Sequence, residues 1–120
     1  MRTMSINTKG IVSEHEGEVT LEFMQGIVGG NIEAYRDPTD ERTTTFWVNE
    51  DGIGLGLPLN YIASIAAGTE LRGNVLVTEM NRMGTDVASL PQDYFKEIGF
   101  LKLLISSGHL PAEPGSGESS

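Results

Sequence analysis

Along this chain the spacing of apolar residues switches between a helical and an extended period, and the order of those switches limits the fold more than any other feature. Leu21, Met24 and Val28 fall at i, i+3 and i+7, and Phe23 and Ile27 at i and i+4, so residues 21–28 read as a short amphipathic helix. Thr20 suits its N-cap, Glu22 lies near its positive end, and Gly29-Gly30 suits a left-handed stop. Gly26 costs that helix about 1 kcal/mol relative to Ala, which points to close approach of a neighbouring element. The period then becomes two. Residues 31–36 and 43–49 are extended in character, and Asp37-Pro38-Thr39-Asp40-Glu41 between them is turn chemistry, which predicts an antiparallel hairpin. Alternation puts Ile32 and Ala34 on one face and Glu33 and Tyr35 on the other, with Phe46 and Val48 opposite Trp47.

The remaining elements follow the same logic. Residues 5–12 read as a first strand, ended by the acidic turn Glu14-His15-Glu16-Gly17-Glu18. After a turn at residues 49–52, the apolar stretch 53–58 leads into a helix starting near Asn60, with Ile62, Ile65 and Ala66 inward and Gly68 as its stop. Residues 74–80, with Val75-Leu76-Val77, are a buried strand. Ser89-Leu90-Pro91-Gln92 resembles a capping box opening a last helix, whose stripe is Phe95, Ile98, Leu101 and Ile105. The order βαββαβα favours an α+β fold: a small, mostly antiparallel sheet with three short helices on one face. Trp47, if opposite that face, then needs another cover, such as a second subunit. From Ser106 the composition turns to Ser, Gly and Pro, which sets one domain at residues 4–105 and a disordered tail at 106–120.

Charge narrows the function. Seventeen Asp+Glu against eight Lys+Arg give the 120-residue chain a net charge of −9, which argues against direct nucleic-acid binding. The absence of Cys removes disulfides, thiolate metal sites and Cys nucleophiles. Met1-Arg2-Thr3-Met4-Ser5 opens no continuous apolar run of the secretory kind. Residues 52–69 carry no charge, but their glycines, Pro58, Asn60 and Ser64 mark buried loop and helix rather than a membrane span. The acids Glu14, Glu16, Glu18 and Glu22 form a solvated rim beside this uncharged centre, where a neutral pocket or interface is the expected place for function.

No spacing singles out catalytic residues. Gly52-x-Gly54-x-Gly56 has the strand-to-helix context of a phosphate loop, but neither G-x-G-x-x-G nor G-K-[ST] spacing, so it reads first as a connector turning over the core. Glu14-His15-Glu16 offers one imidazole, and a lone His among acids reads as a solvated surface group rather than a metal site. Glu33 beside Tyr35, and Glu50-Asp51, are the best placed carboxylates for acid/base work, with an outward strand face and a polar turn as the plainer reading. Ser64 lacks the G-x-S-x-G context of a nucleophile. Trp47, Tyr35 and Tyr61 are either core or an aromatic patch for a partner.

Two motifs in order carry a family resemblance. Gln25-x-x-Val28-Gly29-Gly30-x-Ile32-Glu33-Ala34 precedes Trp47-Val48-Asn49-Glu50-Asp51-Gly52, followed by Gly56-Leu57-Pro58-x-Asn60 and the strand Gly73-Asn74-Val75-Leu76-Val77. Over residues 5–95 this arrangement resembles the DUF3846 family of small phage and mobile-element proteins. The resemblance implies a viral accessory protein working in a bacterial host cytoplasm, and supplies no catalytic residues. The expected function is therefore non-enzymatic binding of a host or phage protein, with no metal or cofactor; occupation of a host enzyme's nucleic-acid site is one version. The alternative is a small-molecule or nucleotide sponge using the glycine loops. Gln25, Gly29, Gly30, Glu33, Trp47, Asn49, Glu50, Gly52 and Asn60 are the candidate ligand or partner residues.

Overall fold

The computed structural model describes residues 1–37, 43–81, 83–84 and 86–108. Its elements are β1 (Arg2–Ile6), β2 (Val12–Glu16), α1 (Leu21–Val28), β3 (Ile32–Tyr35), β4 (Thr45–Asn49), α2 (Tyr61–Ala67), β5 (Val75–Met80), β6 (Val87–Ala88) and α3 (Gln92–Ser106). The strands form one sheet of order β2-β1-β5-β4-β3, with β6 added to β5, and every pairing is antiparallel. The fold is α+β.

The first strand differs from its sequence reading. Residues 5–12 do not form one strand but hold the turn of a β1–β2 hairpin, and the acids Glu14 and Glu16 lie on β2 rather than in a turn. The cause is Asn7: its Oδ1 accepts from the Lys9 and Ile11 amides, both at 2.9 Å, and Gly10 takes φ 83° to close the loop. His15 consequently lies on a strand, half-buried. Its Nε2 is 2.8 Å from Ser5 Oγ, and its ring meets Phe23 of α1 edge-on at 5.4 Å.

The sheet is covered on both faces. Met4, Ile6, Phe46, Val48, Val75 and Val77 share a core with Ile62, Ala63 and Ala67 of α2 and Tyr94 and Ile98 of α3. The expectation of three helices on one face fails for α1, which lies on the other side. There His15 pairs with Thr3 and meets Phe23, while Asn49 Nδ2 donates to Val28 O at the end of α1. Trp47 does lie opposite α2 and α3, half-buried, with Nε1 donating to Thr78 Oγ1 at 2.9 Å. The same face carries α1. Central strand β5 is enclosed from both sides, with Val75, Leu76, Val77 and Thr78 all at 0% exposure. A strand without a wet face has no polar residues to alternate, which is why it reads as a continuous apolar run.

The ends of α1 and α2 fall on the residues expected there. Thr20 Oγ1 accepts from the Phe23 amide, and Gly29 ends α1 at φ 80°. Asn60 Oδ1 accepts from the Ala63 amide and Gly68 ends α2 at φ 75°. In α2 the buried positions are Ile62, Ala63 and Ala67, while Ile65 is 36% exposed, so the inward face is rotated from the expected one. The capping box before α3 does not form: Pro91 holds the N-cap position without a side-chain bond, and Ser89 Oγ accepts instead from the Arg2 amide. Each of β3 and β4 alternates faces as expected, and their register, which alternation leaves open, pairs Glu33 with Val48 and Ala34 with Trp47. Most of the linking turn, residues 38–42, and the tail from residue 109 lie outside the described residues.

Candidate functional site

The two glycine motifs meet at one end of the sheet. Strand β4 delivers Asn49 to the turn where α1 also ends, and Asn49 joins the two. Its Nδ2 donates to Val28 O at 3.3 Å, and its Oδ1 accepts from the Asp51 amide at 2.8 Å. Gly30 is needed here because a Cβ would stand 2.8 Å from Asn49 Nδ2. Beside this junction runs a polar chain on the surface: Gln25 Nε2 donates to Asn31 Oδ1, and Asn31 Nδ2 donates to Glu50 Oε1 at 3.1 Å. The Glu50 amide also donates to Asn31 O at 2.9 Å.

From Gly52 the chain turns out of the sheet. The Gly52 amide donates to Asn49 O, Leu55 N to Asp51 O, Gly56 N to Ile53 O and Leu57 N to Gly52 O, all within 2.8–3.1 Å. Gly52 is buried between Asn49 O and the Arg72 carbonyl, the nearer only 3.3 Å from a Cβ placed there. Gly56 takes φ 67°. The loop is pinned at its base, where Arg72 Nη1 donates to Leu57 O at 3.2 Å and Nη2 to Glu70 Oε1 at 3.1 Å. These turns leave the loop's two large apolar side chains facing solvent. Ile53 is 85% and Leu55 63% exposed.

This corrects the expectation that residues 52–58 turn over the core. Ile53 and Leu55 are separated by glycines, so neither has a side-chain neighbour in sequence to fold against. Clefts open on either side of the loop. Glu33, Tyr35, Glu50, Ile53, Leu71 and Arg72 line one of about 300 Å³. Val28, Gly29, Asn49, Leu55 and Gly73 line the other, of about 340 Å³.

Of the residues proposed from sequence, Gln25, Gly29, Gly30, Glu33, Asn49, Glu50 and Gly52 therefore gather around this junction. Two do not. Trp47 faces the α1 side of the sheet, bonded to Thr78, and lines neither cleft. Asn60 has no exposed surface; its Nδ2 donates to Ile6 O at 2.7 Å and Gly73 O at 2.9 Å, tying β1 to the start of β5. Ser64 serves the same region, its Oγ accepting from the Leu71 amide and donating to Asn60 O. Sequence reasoning passed over Asn31 and Arg72, and took in Ile53 and Leu55 only as members of the glycine loop, not as exposed apolar side chains. The alternation of Gly with Ile and Leu in residues 52–57 was the available signal, because glycines around isolated apolar side chains leave them uncovered.

A family model described as a domain of unknown function, DUF3846, matches residues 1–100. No curated protein and no solved structure matches the chain.

Proposed function

The chain belongs to the DUF3846 family, and from that premise we propose that it is a small, non-enzymatic phage accessory protein that binds a host or phage protein in the bacterial cytoplasm. The loop of residues 52–56 is its contact surface. The observation that carries this reading is the exposure of Ile53 and Leu55, 85% and 63%, on a loop braced by four backbone bonds of its own turns. Two large apolar side chains two residues apart, both mostly in water on one loop, fit a surface that a partner protein covers. Around them stand Glu33, Glu50 and Asp51, all exposed. The matching partner surface is an apolar socket rimmed by Lys or Arg, with the charges governing encounter and the apolar pair governing residence.

The nucleotide-sponge alternative draws on the clefts beside the loop. It is less well supported, because the Asn49 amide and carbonyl groups both have internal partners and Asn60 reaches neither cleft.

Parallel pull-downs from host lysate with wild type and the double variant Ile53→Asp/Leu55→Asp test the reading. A partner enriched by wild type and lost with the double variant is the expected result. A partner held equally by both, or a blank at low and moderate salt, rejects it.

A further inference from the structure

A separate cleft, at the far end of α3, has a different chemistry. Its walls come from the β1–β2 turn, the start of α2 and the end of α3, and it encloses about 360 Å³. Ile11, Tyr61, Ile62 and Ile105 supply apolar surface, and Ile11 is 56% exposed. Lys9 and Lys102 stand beside them, and no Asp or Glu lines the cleft among the described residues. These are two of the three lysines in a chain of net charge −9. The third, Lys96, lies 3.9 Å from Asp93, whereas neither Lys9 nor Lys102 has an acidic partner among the described residues.

The cleft is also built on fixed supports. Asn7 Oδ1 holds the turn that carries Lys9 and Ile11 through two 2.9 Å bonds. Gly10 in that turn lies so close to α2 that a Cβ would stand 3.3 Å from Ile62 Cδ1. The buried Asn60 fixes the first turn of α2 against β1.

We infer that this cleft binds a small carboxylate with an apolar body, the hydrocarbon lying against Ile11, Ile62 and Ile105 and the carboxylate between Lys9 and Lys102. Two ammonium groups without an acidic partner among the described residues, set beside apolar walls, give the ligand both its preference for negative charge and its burial. Lysine rather than arginine accepts the carboxylate as a point charge, without demanding one planar orientation. The site is independent of the loop at residues 52–56, so failure of either reading leaves the other standing.

The test uses decanoate as probe, decanol as its uncharged counterpart, and the full chain observed by amide NMR. Saturable shifts at residues 8–11, 61–62 and 102–106 with decanoate, and much weaker ones with decanol, are expected. Lys9→Glu/Lys102→Glu should weaken decanoate binding roughly tenfold while leaving the unperturbed spectrum outside these segments unchanged. Absence of saturable shifts, equal response to decanol, or undiminished binding by the charge-reversed variant overturns the proposal.

Discussion

Replacing Asn60 with Ala separates scaffold from site in the most sensitive way. Asn60 belongs to the motif that marks the chain, yet it has no exposed surface and makes three bonds: Nδ2 to Ile6 O and Gly73 O, and Oδ1 from the Ala63 amide. Losing an N-cap costs about 1 kcal/mol. Each buried carbonyl that loses its donor costs at least about 1 kcal/mol more. The expected loss is therefore about 3 kcal/mol, against a total of roughly 5–15 kcal/mol for a domain. In a domain of this size it lowers Tm by at least about 12 °C. Urea unfolding followed by circular dichroism measures it directly. Asn60→Ser supplies a capping oxygen but cannot reach both carbonyls, so it should recover only the capping part, about 1 kcal/mol. A loss below about 1 kcal/mol in Asn60→Ala would refute the claim that this side chain knits β1, α2 and β5 together.

Other substitutions probe the junction and the loop. Gly30→Ala places a methyl group 2.8 Å from Asn49 Nδ2 and should cost about 1–3 kcal/mol in the same unfolding assay, since the side chain it displaces has two partners to lose. Trp47→Phe leaves Thr78, which is 0% exposed, without its 2.9 Å indole donor; a loss of about 1 kcal/mol is expected by thermal unfolding. Ile53→Asp/Leu55→Asp should change stability by no more than about 0.5 kcal/mol, as differential scanning calorimetry will show, because both side chains already stand in solvent.

What the sequence discloses and what it hides divide along the range of the interactions. The caps at Thr20, Gly29, Asn60 and Gly68 rest on bonds spanning three or four residues, and each occurs where its residue type predicts. The faces of β3 and β4 follow from alternation alone. Position α1 against the second face of the sheet depends instead on meetings such as His15 with Phe23, which no local pattern encodes. Similarly, Asn7 converts one expected strand into a hairpin through its own side chain, a polar effect invisible to hydrophobic spacing. At the candidate site, the glycine and Asn residues were legible because turns need them. The outward stance of Ile53 and Leu55 was not, because hydrophobicity predicts burial and the direction in which the glycine-rich turn leaves the sheet is set by the fold.

Hydrogen–deuterium exchange on the complex with a captured partner tests the proposed contact surface most directly. Strong new protection across residues 50–57, with little change on β2 and α3, is the result the loop reading predicts. Protection that spares residues 50–57 while covering another surface would contradict it.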